Sequence, residues 1–280
     1  MIKNILFPVD FSPSCAAVAP YVKRAMLIFG ANVTLVHVCD LASHNGFELY
    51  ARAADDIAEE HWNLARSRLE VFLESEFPAK ESPRILLAGD AARAITETAT
   101  KSKCDLIMMP IHAGRFRRML LGSTTAKVLS DANCPVLTTQ HAAAIAPRSL
   151  EHRKWVCAVG LSSDSERVLR YARAAALAAG AKLSVIHAIQ TSVAESKTQR
   201  PSEIELQARQ HIAELLSALS SDALVSIVVG PVKEVLLDAV RKSSADVLVL
   251  GRSTRPGALG RMGDLTYSLI RDSPCPVVSV

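Results

Sequence analysis

The chain is poor in most features that mark specialised function classes. Aromatic residues fill only 5% of its 280 positions, so there is no set of stacking rings for a nucleic-acid groove. Charge is nearly balanced: 32 Lys and Arg against 28 Asp and Glu give a formal +4, too slight a bias to draw nucleic acid or anionic lipid. Glycine (12) and proline (13) are modest, which excludes collagen-like and low-complexity architecture. No run reaches the roughly 18 apolar residues of a membrane span. The most apolar long segment, Tyr171 to Ile189, is broken by Arg173, Gly180 and Lys182. Met1 to Asp10 lacks the long apolar run and small-residue cleavage site of a signal peptide and reads as a strand, so the expected location is cytoplasmic. Six cysteines, at 15, 39, 104, 134, 157 and 275, form no C-x-x-C pair, and no His-x3-His accompanies them. They read as buried thiols rather than zinc ligands.

What the chain does have is a repeat. Gly30-Ala-Asn-Val-Thr-Leu-Val-His37-Val38 mirrors Gly180-Ala-Lys-Leu-Ser-Val-Ile-His187-Ala188, 150 residues on. Asp105-Leu-Ile-Met-Met109 mirrors Asp246-Val-Leu-Val-Leu250, and Cys134-Pro135-Val136 mirrors Cys275-Pro276-Val277, both 141 residues on. The second copy is therefore nine residues shorter between its second and third strands. The expected domains are 1–140 and 154–280, joined by a linker at 141–153 that has no apolar period.

Each copy alternates strand and helix. In the first, strands are expected at Ile5 to Val9, Val33 to Val38, Arg84 to Ala88, Asp105 to Met109 and Pro135 to Thr139. A helix should start at Ser12-Pro13 and run to Phe29, with Gly30 as its C-terminal cap. A long helix should cover 48–75, and others should follow Ala91 and Ser123. Apolar strands without alternation are buried on both faces, so the fold class is α/β: two tandem doubly wound domains, each a parallel sheet with helices on both faces. Ligands in such sheets sit beyond the carboxyl ends of the strands.

Asp10 follows the first strand and suits either a nucleotide hydroxyl or a turn cap. Gly122-Ser123-Thr124 opens a helix and suits either an anion or a plain Ser N-cap. Arg115, Arg117 and Arg118 lie in the loop before it, where they read as a solvated basic stretch or as flanks of a phosphate. His37 and His187 recur late in the second strand and read as packed, hydrogen-bonded histidines. Ser–His–Asp order, G-x-S-x-G, H-E-x-x-H, G-x-G-x-x-G and Walker A spacings are all absent, so nothing demands bond-making chemistry.

The blocks Ile5-Leu-Phe-Pro-Val-Asp10-Phe-Ser12, Leu35-Val-His37-Val38, Asp105 to Ser123 and Cys134-Pro-Val resemble a universal stress protein domain, and the same order recurs in the second copy. The resemblance implies a five-stranded parallel sheet, and in many members a bound ATP, held by an aspartate after strand one and by G-x2-G-x9-G-[S/T] after strand four. Carried onto this chain, it implies a nucleotide site of Pro8, Val9, Asp10, Val38, Met109, Pro110, His112, Ala113, Gly122, Ser123 and Thr124. Pro110 and Ala113 stand where the first two glycines belong, and eight residues rather than nine separate Ala113 from Gly122. In the second copy Gly160 replaces Asp10, Thr254 the second glycine and Asp264 the hydroxyl residue.

The reading is a stress-response protein binding ATP or another adenine nucleotide, with Mg2+, weakly in domain 1 as a regulatory ligand. Domain 2 is degenerate on this reading, and hydrolysis would be slow and incidental for want of a positioned base. The alternative is a scaffold acting through protein–protein contacts with both sites inactive. The family resemblance also implies pairing of the last strands, here Val136 to Thr138 with Val277 to Ser279, and leaves homodimers of whole chains open. Nucleic acid and membrane are not expected partners.

Overall fold

The computed structural model describes residues 2–39, 51–111, 122–139, 153–190, 201–219, 221–252 and 263–280. The expected linker and the residues His112, Ala113, Arg115, Arg117, Arg118 and Thr254 lie outside them, apart from Arg153 at the linker's end. The chain forms two compact units, built mainly of Ile2–Leu137 and Pro147–Val280.

The first domain runs β1 (Asn4–Pro8), α1 (Pro13–Ala16), α2 (Ala19–Phe29), β2 (Asn32–Cys39), α3 (Ala51–Val71), β3 (Arg84–Ala88), α4 (Ala91–Lys101), β4 (Leu106–Pro110), α5 (Ser123–Asp131) and β5 (Val136–Thr139). Its strand order is β3-β2-β1-β4-β5. The second domain runs β6 (Lys154–Ala158), α6 (Ser165–Ala178), β7 (Lys182–Ile189), α7 (Pro201–Ala218), β8 (Leu224–Val229), α8 (Val232–Ser243), β9 (Val247–Leu250), α9 (Asp264–Asp272) and β10 (Val277–Ser279). Its order is β10-β9-β6-β7-β8. The β1–β2, β1–β4 and β2–β3 pairs are parallel, as are β6–β7, β6–β9, β7–β8 and β9–β10. The five-stranded α/β reading holds in both copies.

Two local readings are corrected. The single helix expected from Ser12 to Phe29 is broken between α1 and α2. Pro20 has no N–H to give the carbonyl one turn back, so the chain restarts around it. Strand four extends one residue further than expected, taking Pro110 into β4. The expected cap at Gly30 is present in the left-handed conformation (φ +58°), and Gly180 repeats it (φ +64°).

The repeated motifs staple the framework. The Asp105 carboxylate accepts from the Lys3 and Asn4 amides at 2.7 and 2.9 Å. Asp246 does the same for Arg153 and Lys154 at 2.7 and 2.8 Å. Each ties the start of the domain's first strand to its fourth. His37 Nδ1 meets the Val9 carbonyl at 2.7 Å and His187 Nδ1 meets that of Val159 at 2.8 Å. Both histidines are the packed residues their recurrence suggested. A carbonyl only accepts, so Nδ1 carries the proton in each ring.

Candidate functional site at the carboxyl ends of the strands

In the first domain the candidate residues gather where β1, β2 and β4 end and α5 begins. Pro8 and Val9 are buried at the end of β1. The Val9 amide donates to the Val36 carbonyl at 2.8 Å, which holds the exit of β1 beside β2. Asp10 comes next and is exposed. Its Oδ1 accepts from the Ser12 amide at 3.0 Å, and Ser12 Oγ accepts from the Cys15 amide at 3.1 Å as the cap of α1. Asp10 therefore shapes the turn, and the helix cap belongs to Ser12. Burial pushes the Cys15 thiol beneath this turn up to about 12, which keeps it neutral and unreactive. Val38, half-buried in β2, pairs with Leu87 of β3.

One wall of this site has no signature in the residue pattern. Phe11 adopts a left-handed backbone (φ +61°), which costs a non-glycine residue about 1 kcal/mol. Its ring meets His37 at 4.2 Å and Phe72 edge-on at 5.3 Å, and the Arg68 guanidinium lies 4.5 Å from its centroid. Such contacts are worth about 0.5–1.5 kcal/mol each and offset the strain. They also draw α3 to the side of the Asp10 turn. Phe72 falls within the helix expected over 48–75 but lies just past the observed end of α3 at Val71.

Met109 and Pro110 end β4 and are buried. Thr125 Oγ1, fully buried, donates to the Pro110 carbonyl at 3.3 Å and fixes the start of α5 on that strand end. Gly122 is the N-cap, with φ −59° and no side-chain capping bond. Ser123 is therefore the first helical residue rather than the cap, and it is exposed, with Thr124 half-buried. The N-cap itself has no side chain to offer the first-turn amides, which suits a negative group there. Pro110 contributes no N–H here.

The matching end of the second domain is built differently. Gly160 follows β6, and Ser165 Oγ donates to its carbonyl at 2.7 Å while accepting from the Ser162 amide at 3.1 Å. A hydroxyl thus does locally what Asp10 and Ser12 do in the first copy. Asp264 opens α9 after Gly263, where a carboxylate stabilises the helix but opposes a phosphate. A cavity of about 440 Å³ lies here, lined by Val159, Ser165, His187, Gly251, Arg252 and Thr266 among others. Among the described residues no cluster of three or more His, Cys, Asp or Glu side chains stands ready for a metal, and no helix is long and apolar enough to cross a membrane.

Comparison with known proteins bears on the family and the fold. The model of the universal stress protein family matches residues 1–140 and again 151–280. A universal stress protein of Thermus aquaticus is 31% identical over 142 residues, covering 49% of this chain and 98% of its own. Another, from Methanocaldococcus jannaschii, is 28% identical over 143 residues, 50% of this chain and 83% of its own. Among solved structures, a universal stress protein from Archaeoglobus fulgidus matches with a TM-score of 0.70 at 21% identity, over 99% of this chain and 95% of that one. A protein of unknown function from Pseudomonas aeruginosa matches with a TM-score of 0.65 at 21% identity, over 100% of this chain and 92% of its own.

Proposed function

Since the chain belongs to the universal stress protein family, we propose that it is a stress-response protein whose first domain binds ATP or another adenine nucleotide weakly, as a regulatory ligand. The observation that carries this reading is the exposed Asp10 carboxylate beyond β1, in the same domain as a helix whose N-cap, Gly122, has no side chain to offer its first amides. The residues that would hold the nucleotide divide by chemistry. Asp10 accepts from ribose hydroxyls, and the Val38 backbone meets the base. The Gly122–Thr124 turn offers amides to phosphate, whose charge Mg2+ would share. Pro8, Val9 and Met109 form the apolar floor. Pro110 supplies no donor, which accounts for weak binding, and His112 and Ala113 belong to the same proposed loop. Any hydrolysis is slow and incidental on this reading, and the bound state is the output.

Domain 2 takes no nucleotide triphosphate on this reading, because Gly160 brings no carboxylate and Asp264 repels phosphate. A scaffold role with both sites inactive is the second reading, favoured by Pro110. Calorimetry of the full chain with ATP and Mg2+ decides between them. The first reading requires binding near one per chain that Asp10→Ala abolishes; no heat at millimolar nucleotide leaves the scaffold.

From their places at the ends of the two strand orders, we also propose that β5 and β10 pair within one chain, covering two sheet edges. A first domain expressed alone then self-associates through β5. A strictly monomeric first domain contradicts the pairing. The remaining protein partner is the one the nucleotide state selects, and a cytoplasmic location accompanies this proposal.

A further inference from the structure

We propose that the amino end of the second domain's sheet, opposite the nucleotide-site end, is a binding site for an amphipathic organic anion: an apolar body carrying one carboxylate. A groove of about 540 Å³ opens there, within the range of small-molecule sites. Trp155 and Leu183, side by side in the β6–β7 register, form its apolar base. Leu177 and Leu224 stand at its mouth, 72% and 76% exposed.

The groove follows from the deletion that the repeat reveals. In the first domain residues 72–83 connect α3 to β3 and close this end. Phe77 is fully buried there, its ring packed edge-on against Phe7 at 6.0 Å. Arg84, at the start of β3, has only 7% of its side chain exposed. It donates to the carbonyls of Leu69, Phe72 and Phe77 and pairs with Glu74 at 2.6 Å. In the second domain α7 reaches β8 through residues 219–223 alone. Residues 219–223 include no aromatic, and Leu224 stands near the position of Arg84. The apolar lining that a plug covers in one copy is open in the other.

Charge selects the ligand. Among the described residues, Lys154, Arg173 and Lys182 line the groove, with Asp222 the one acidic residue lining it. Lys154 Nζ donates to the Ser243 carbonyl at 3.2 Å, which holds that ammonium at the rim. Lys182 is exposed and makes no ion pair among the described residues. Three cations over an apolar base favour an acid with a hydrophobic body and disfavour both the neutral analogue and a small inorganic anion.

The test uses the full chain carrying Trp62→Phe, which leaves Trp155 as its one tryptophan. The probes are ω-bromodecanoate and ω-bromodecanol, whose bromine quenches an indole on contact. The expected result is saturable quenching by the acid at one per chain, with the alcohol about tenfold weaker. Lys182→Glu and Leu177→Asp should each weaken the acid about tenfold. Both positions are exposed, and circular dichroism checks that the fold is kept. ATP should not displace the acid. The proposal is overturned by unsaturable or absent quenching, by equal binding of acid and alcohol, by indifference to both substitutions, or by displacement with ATP. None of these outcomes depends on whether the first domain binds nucleotide.

Discussion

The two copies share their staples and differ at both ends of the sheet. Asp105 and Asp246 tie the same strands, and His37 and His187 hold the same carbonyls. At the carboxyl end the first copy presents the Asp10 carboxylate, where the second has Gly160 and closes the turn with Ser165. At the amino end the first copy is sealed by Phe77 and Arg84, where the second leaves Trp155 beneath an open groove. Within one chain, then, the framework is conserved between repeats while the segments beyond the strand ends diverge. The segments at the carboxyl ends are where binding resides in such folds.

The strongest way to break this contrast is to unplug the first domain. Phe77→Ala removes a fully buried ring and should cost about 3–5 kcal/mol, read by urea denaturation with Trp62 reporting on that domain. A loss below about 1 kcal/mol would mean that Phe77 is no plug. Next in size is Arg84→Met, which strands the carbonyls of Leu69, Phe72 and Phe77 and should cost about 2–3 kcal/mol. At the shared staples, Asp105→Ala and Asp246→Ala each remove two amide bonds to a carboxylate. Each should cost about 2 kcal/mol, and equal losses in the two domains are the point of that pair. Unequal losses would show that the repeat keeps the residue but not its role.

The smallest effect concerns acid. The side chain of Arg271, then that of Lys233, holds the Asp272 carboxyl well below the usual carboxylate range. Its contribution is present above the unfolded value near 3.8 and is lost as pH falls through the lower native one. Asp272→Asn should therefore cost up to about 1 kcal/mol at neutral pH and flatten the acid limb of the second domain's stability below pH of about 4. An unchanged acid limb would remove the Lys233–Asp272 tie (2.5 Å) from the account.

The fold was legible because its signals are local and doubled. Buried strands, the Gly30 and Gly180 caps and two aspartates in register all repeat at fixed offsets. The break at Pro20 was written in the sequence too, but the Ser12-Pro13 start and the apolar run to Phe29 outweighed one proline. The Asp10 turn was half legible, since the residue type suits a cap and a ligand equally and only the Ser12 geometry separates the two jobs. Phe11 carried no signal, because nothing in a sequence marks a phenylalanine that will sit at positive φ against residues some 60 positions away. The nine-residue deletion was countable, yet its consequence depended on where Phe77 lies in the longer copy.

The account's central claim is that the two copies divide the work, with nucleotide held only by the first. Photolabelling the full chain with an azido-ATP and mapping the labelled peptides tests it directly. The account predicts label in first-domain peptides next to Asp10, Val38 or Gly122, lost in Asp10→Ala. Label in the second domain near Gly160 and Arg252, or in neither, would contradict it.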